Sequence, residues 1–186
     1  DGLGDYLHDW EAWSAQLMET HLSYPILCFF RSQHHNQSWL AAFASILDVC
    51  ALLIAYGEGE TKWRAQLTFA IARHAIADLC EILRVQPTPC RPERLAAADL
   101  PQARALLLDC GVGTCAESGD AKLREMQAMY EPYLNGLSHL LCMPLPSWGV
   151  GADFAKQPRS KVWARITSET PDGPAKLVHD DEAGHL

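Results

Sequence analysis

The sequence lacks a long basic stripe. Its 186 residues contain 15 Lys and Arg against 23 Asp and Glu, which gives a formal net charge of −8. An acidic chain repels phosphate unless basic residues cluster locally, so we expect no nucleic-acid partner. The first ten residues also lack the basic and apolar regions of a signal peptide. With 48 % apolar and 20 % charged residues, the composition is that of a soluble globular domain and excludes collagen-like and wholly disordered chains.

Proline is absent from a long central part of the chain. None occurs between Pro25 and Pro87, whereas five of the eleven prolines follow Cys142. Because proline breaks helices, this distribution predicts helices first and irregular structure later. We therefore expect an all-α fold: a compact bundle of about five to six helices over residues 1–148, followed by an extended polar tail over residues 149–186.

Apolar spacing and capping residues indicate where the helices lie. The first is expected from Leu3 to His21, and a short apolar helix follows near Ile26 to Phe30. The second follows an N-cap at Asn36 or Ser38 and is ended by Gly57 and Gly59, and the third runs from Thr61 to Leu83. A fourth begins after Asp99, and the last begins near Ser118 or Asp120. On the third helix we expect one buried side, made of Trp63, Leu67, Ile71, Ala75, Leu79 and Leu83.

The second predicted helix is apolar enough to raise the question of a membrane span. Its 18 residues from Trp39 to Tyr56 carry one charge, Asp48. A charge near the middle of a span is costly, and no basic anchors flank this segment. We therefore expect a central helix buried in the bundle, with Asp48 paired to a base such as Arg64, Arg73 or His74.

Motifs for cofactor and metal chemistry are missing. The sequence has no phosphate loop, dinucleotide fingerprint, nucleophile elbow or zinc-protease motif. Its seven cysteines form an odd, scattered set, which is typical of reduced thiols buried as small apolar groups. The closest pair, Cys110 and Cys115, is spaced more widely than the ligand pairs of structural zinc sites. We therefore expect neither a metal nor a cofactor.

Three polar groups remain as candidate sites. The run that contains Arg31, His34 and Asn36 is rich in donors and acceptors, and it is either a ligand contact or a capped turn between helices. His74 and Asp78 share one helix face, so the carboxylate could orient the imidazole as a base or a metal ligand, and the alternative for Arg73, His74 and Asp78 is a salt-bridge network between helices. Glu19 and His21 are two residues apart and do not form the Glu-x-x-His motif of di-iron bundles. With Asp48, the candidate polar cluster is Glu19, His21, Arg31, His34, Asn36, Asp48, Arg73, His74 and Asp78.

Several strings between Trp10 and Trp148 resemble one family. They are residues 19–25 (ETHLSYP), 31–34 (RSQH), 36–39 (NQSW), 72–75 (ARHA), 129–133 (MYEPY) and 143–146 (MPLP). In order and spacing they resemble the cytosolic C-terminal domain of bacterial two-transmembrane potassium-channel-like proteins. The family pattern often has an acidic residue after the histidine of the second string, where this chain has His35.

The resemblance implies a soluble domain on the cytoplasmic side of the bacterial inner membrane. A pore of two transmembrane helices precedes such domains, and the subunits form a homo-oligomer because channel pores are symmetric. This chain has no TVGYG-like filter, so it cannot conduct ions by itself. The resemblance supplies no catalytic residues.

Two functional hypotheses follow from the sequence. The first is a non-enzymatic assembly or regulatory domain of a potassium-channel-like protein. The second is a small helical ligand-binding domain or enzyme, whose site would combine Glu19, His21, Arg31, His34, Arg73 and His74.

Overall fold

The fold of the described residues is all-α, as predicted. The structure is a computed structural model, and it describes residues 2–30, 38–89, 94–95, 97–113 and 118–148. The predicted tail over residues 149–186 lies outside these ranges. No strand occurs within the described ranges. In the described part of the chain, the α-helices are α1 (Gly2–Ser23), α2 (Trp39–Tyr56), α3 (Gly59–Ile82), α4 (Leu100–Asp109) and α5 (Ser118–Leu141), and 3-10 helices span Pro25–Phe29 and Ala97–Asp99.

Helix α3 lies against the other three long helices, α1, α2 and α5. The Thr68 hydroxyl donates to the Leu7 carbonyl of α1 at 3.1 Å, and the Phe69 ring meets the Tyr130 ring of α5 edge-on. The Cys80 thiol, near the end of α3, contacts the Tyr133 carbonyl, which lies beyond Tyr130 in α5. Gly4 and Leu7 of α1 lie beside Arg64 and Thr68 of α3 in the same order. Helices α1, α3 and α5 therefore run in the same direction. Helix α2 runs against them, since it joins α3 through the short turn at Gly57.

Helix α2 forms the centre of the core. It is the one helix in the described part of the chain that is long and apolar enough to cross a membrane, and 61 % of its residues are buried inside the bundle. Of the two predicted N-caps, Asn36 and Ser38, the helix uses Ser38. The Ser38 hydroxyl accepts a hydrogen bond from the Ala41 N–H at 3.3 Å. This arrangement agrees with a buried core helix.

The predicted buried side of α3 is wrong in its first half. Trp63 is 57 % exposed and Leu67 is 39 % exposed, whereas Ala75 and Leu79 are buried. A step of four residues turns a side chain about 40° beyond a full turn of helix, so a row of such steps winds around the helix. From Trp63 to Leu83 the row turns by about 200°, too far for one buried face. The early part of α3 instead buries Ala65, Thr68, Phe69 and Ala72.

A long crossover joins α3 to α5, because two helices that run in the same direction need a returning connection. Its first part, residues 85–89, lies along α5. The Thr88 N–H donates to the Pro132 carbonyl at 2.9 Å. The Asn135 amide donates to the carbonyls of Thr88 and Pro89, each at 3.1 Å. These bonds hold the start of the crossover against the last turns of α5.

Candidate functional site

Asp48 lies near the middle of α2 and is only 8 % exposed. Its cationic partner is Arg94, from the crossover. The Arg94 Nη1 donates to Asp48 Oδ1 at 3.2 Å, and Nη2 donates to Oδ2. The prediction of a buried pair is confirmed, but the predicted partners are wrong.

The three predicted partners make other contacts. Arg64 pairs with Glu60 at 2.9 Å on the exposed side of α3. Arg73 donates to the Met129 carbonyl of α5, and His74 contacts Asp78. Each of these three side chains therefore has a partner on α3 or α5, and the cation that pairs with Asp48 comes from the crossover.

Three further groups surround the ion pair. The Tyr130 hydroxyl donates to Asp48 Oδ1 at 2.6 Å, and its side chain is fully buried. The Arg94 Nε donates to the Pro146 carbonyl at 3.1 Å, and Nη1 lies 3.8 Å from Glu131 Oε1. Arg94 therefore connects α2, α5 and the segment after α5. We call Asp48, Arg94, Tyr130 and Glu131 the buried charge cluster.

Burial and the neighbouring charges shift the pKa values of this cluster. Burial raises the pKa of Asp48, and the charge and hydrogen bonds of Arg94 and the bond from Tyr130 oppose that rise. Burial also raises the pKa of Tyr130 well above its usual range, with Asp48 adding to the effect, so the phenol keeps its proton. A guanidinium and a phenol that hold their protons fix the carboxylate in place and do not act as bases at neutral pH.

The predicted contact between His74 and Asp78 is present. The His74 Nε2 lies 3.3 Å from Asp78 Oδ2, and the imidazole is exposed. The neighbouring Arg73 points to α5, where its guanidinium lies 5.9 Å from the centre of the Tyr133 ring. Arg73 and His74 thus contact different groups.

Glu19 and His21 also have different surroundings. Glu19 is exposed, whereas the half-buried His21 ring lies 5.4 Å from the Trp39 ring. His21 Nδ1 lies 3.0 Å from the Leu17 carbonyl, and burial lowers its pKa against the effect of that contact. His21 packs the end of α1 against the start of α2.

The contacts of the described residues join two members of the predicted polar cluster, His74 and Asp78, and they do not bring the cluster together as one site. His21 contacts Leu17 and Trp39, and His74 contacts Asp78. Arg31, His34 and Asn36 lie outside the described residues. A single site that combines all of these side chains stays a prediction.

The cysteines are divided between core and surface. Cys28, Cys50 and Cys80 are buried, and burial raises their pKa values to about 11, 12 and 12. Cys110 and Cys142 are exposed. Cys90 and Cys115 lie outside the described residues. Within the described ranges, no group of three or more His, Cys, Asp and Glu could hold a metal ion.

A second polar contact was missed by the sequence analysis. The Tyr56 hydroxyl at the end of α2 donates to Asp120 Oδ1 at 2.6 Å, and Arg104 Nη1 of α4 lies 3.5 Å from the same oxygen. Like Arg94, Arg104 is brought to its partner by the crossover. Sequence spacing carries no signal for such distant pairs.

Comparison of the chain with protein-family models, curated proteins and solved structures gives no match. The contacts of the described residues and the resemblance of the sequence strings therefore remain the basis for a functional proposal.

Proposed function

We propose that this chain is a non-enzymatic cytosolic assembly or regulatory domain of a bacterial potassium-channel-like membrane protein. One observation carries the proposal: the sequence strings that resemble this family contact one another in the folded chain. Ser38, from one string, donates to the sulfur of Met143, from another, at 3.6 Å. Arg73 donates to the Met129 carbonyl, again from one string to another.

Two of these strings also meet at the buried charge cluster. Tyr130 and Glu131 belong to the string over residues 129–133, and Pro146 belongs to the last one. All three contact Arg94 or its partner Asp48. These contacts join strings that lie far apart in the chain, so the resembling segments belong to one folded domain.

A bundle of this kind is suited to assembly. The buried charge cluster fixes the crossover to α2 and α5. Copies of a packed domain can hold the subunits of a symmetric pore together. A regulatory role further requires a ligand or partner that binds two states of the domain with different affinities.

The first experiment is to read the gene upstream of Asp1. Two apolar spans that flank a filter-like Gly-Tyr-Gly loop are the expected result. A soluble start a few residues upstream would overturn the proposal. In that case a ligand-binding domain or enzyme would become the leading hypothesis.

The second experiment measures what the domain does for the full-length protein. Vesicles containing the full-length chain are compared with vesicles containing a chain truncated before this domain, by potassium flux and by chemical cross-linking. We expect truncation to reduce the cross-linked oligomer or to change the flux. Equal oligomer and equal flux would contradict the proposal.

Point variants sharpen this comparison. Asp48→Ala in the full-length protein removes the carboxylate of the buried charge cluster and should reproduce the effect of truncation. The matched control is Glu60→Ala, which removes the acidic partner of an exposed pair and should behave as wild type.

A further inference from the structure

The 3-10 helix between α1 and α2 exposes four large apolar side chains. Tyr24, Ile26, Phe29 and Phe30 are between 50 and 65 % exposed. We call these four residues the apolar patch. Cys28, in the same turn, is fully buried, so the segment has an inner face on the core and an outer face in solvent.

The backbone beneath the apolar patch is held in place. The Leu27 N–H donates to the Tyr24 carbonyl at 2.9 Å, and the Phe30 N–H donates to the Leu27 carbonyl at 3.1 Å. The Trp39 indole donates to the Cys28 carbonyl at 3.3 Å, which fixes the turn to the start of α2. The four side chains are thus presented outward by a fixed turn.

The area of the patch argues against a second copy as its partner. An aromatic side chain carries about 150–250 Å² of surface, so three half-exposed aromatic side chains together with Ile26 offer roughly 400 Å². A stable dimer needs about 800 Å² from each subunit. The patch supplies about half of that requirement.

The charge around the patch fits an anionic lipid surface. No Asp or Glu occurs from Thr20 to Leu47, although the chain as a whole has 23 acidic residues. Arg31 follows Phe30 directly in the sequence. No carboxylate in this stretch therefore opposes approach to anionic headgroups, and aromatic side chains favour the headgroup level of a bilayer.

We propose that the apolar patch inserts into the interface of an anionic membrane and seats this end of the bundle on the bilayer. This inference goes beyond the proposed function, because it needs no pore and is tested on this chain alone. Interfacial binding increases with the apolar area that is inserted and is opposed by nearby negative charge, and this turn combines four exposed apolar side chains with a sequence stretch that has no Asp or Glu.

The test is co-flotation of the purified chain with vesicles of equal parts phosphatidylglycerol and phosphatidylethanolamine. We expect binding by the wild-type chain. The double variant Ile26→Ser/Phe30→Ser should bind about tenfold more weakly, since it removes two exposed apolar side chains. Phe30→Trp should bind at least as well as wild type, because tryptophan favours the interface.

The matched control changes exposed apolar side chains elsewhere. Leu106→Ser/Leu108→Ser on α4 removes two exposed leucines and should leave vesicle binding unchanged. Circular dichroism should report the same helix content for all variants, because each substituted side chain is exposed.

Two results would overturn the inference. One is vesicle binding that is absent in the wild type or unchanged in Ile26→Ser/Phe30→Ser. The other is a dimer, seen by light scattering without vesicles, that the same double variant abolishes. In that case the occupant of the apolar patch is a second copy of the chain.

Discussion

Arg94 and Asp48 form a two-pronged ion pair between the crossover and the middle of α2, although 45 residues separate them in the sequence. Asp48 is the single charge in the most apolar helix, and Arg94 lies in a connection without regular spacing. Tyr130 and the Pro146 carbonyl complete the hydrogen bonding of the pair. The position of the crossover thus depends on a charge in the core.

Removal of Arg94 is expected to destabilise the domain strongly. Arg94→Met leaves the Asp48 carboxylate buried without its cation, and loss of one partner of a buried pair costs about 3–5 kcal/mol. Chemical denaturation followed by circular dichroism measures the free energy of unfolding. Arg64→Met breaks the exposed pair with Glu60 and should cost less than about 1 kcal/mol. Equal effects of the two variants would show that the buried pair has no special role.

Gly136 is expected to be essential for the docking of the crossover on α5. A Cβ atom at this position would lie 2.7 Å from the Gln86 carbonyl oxygen and 2.8 Å from Val85 Cγ1. Gly136→Ala should therefore cost about 1–3 kcal/mol of unfolding free energy, although alanine is the better helix former by about 1 kcal/mol.

Gly4 provides the control for this substitution. A Cβ atom there would meet the Arg64 side chain at 3.6 Å, which is an ordinary contact. Gly4→Ala in α1 should thus be neutral or stabilise the fold by up to about 1 kcal/mol. Thermal unfolding of both variants tests the pair, and a stabilised Gly136→Ala variant would contradict the close packing of residues 85–89 on α5.

Ser38 and Ser45 both bind the backbone of Ala41 but should respond differently to mutation. Ser38 caps α2 by accepting from the Ala41 N–H, whereas the exposed Ser45 hydroxyl donates to the Ala41 carbonyl at 3.0 Å. Ser38→Ala should cost about 1 kcal/mol because the N–H loses its acceptor. Ser45→Ala should leave the free energy of unfolding unchanged or raise it slightly. The Ala41 carbonyl that Ser45 contacts already accepts a backbone hydrogen bond within the helix. Urea denaturation of the two variants measures the difference, which would vanish if Ser38 were not the cap.

The helices could be predicted from the sequence because their signals are local. The cap at Ser38 and the end of α2 at Gly57 follow from residue type and apolar spacing. The contact between His74 and Asp78 is local as well, because residues four apart on a helix face each other.

The buried charge cluster could be predicted only in part. A carboxylate buried in an apolar helix predicts a cationic partner, and Asp48 has one. Arg94 pairs with Asp48, and Arg73 does not, because the crossover returns to α2. The spacing of apolar residues in the sequence does not indicate the path of this connection. The contact of Tyr56 with Asp120 escaped prediction for the same reason, since it joins two helices separated by the crossover.

The stability of the Arg94→Met variant should depend on pH through Asp48. Burial raises the pKa of this carboxyl, and in the variant no guanidinium opposes the rise. The folded variant then binds a proton more readily than the unfolded chain, so its stability falls as pH rises above the ordinary carboxyl pKa of about 3.9, until the raised pKa is passed. The double variant Asp48→Asn/Arg94→Met cannot ionise at this position. We expect the unfolding free energy of the single variant to drop below that of the double variant as pH increases from about 4 to 8, measured by chemical denaturation. A difference between the two that stays constant over this range would mean that Asp48 gains access to water once Arg94 is gone.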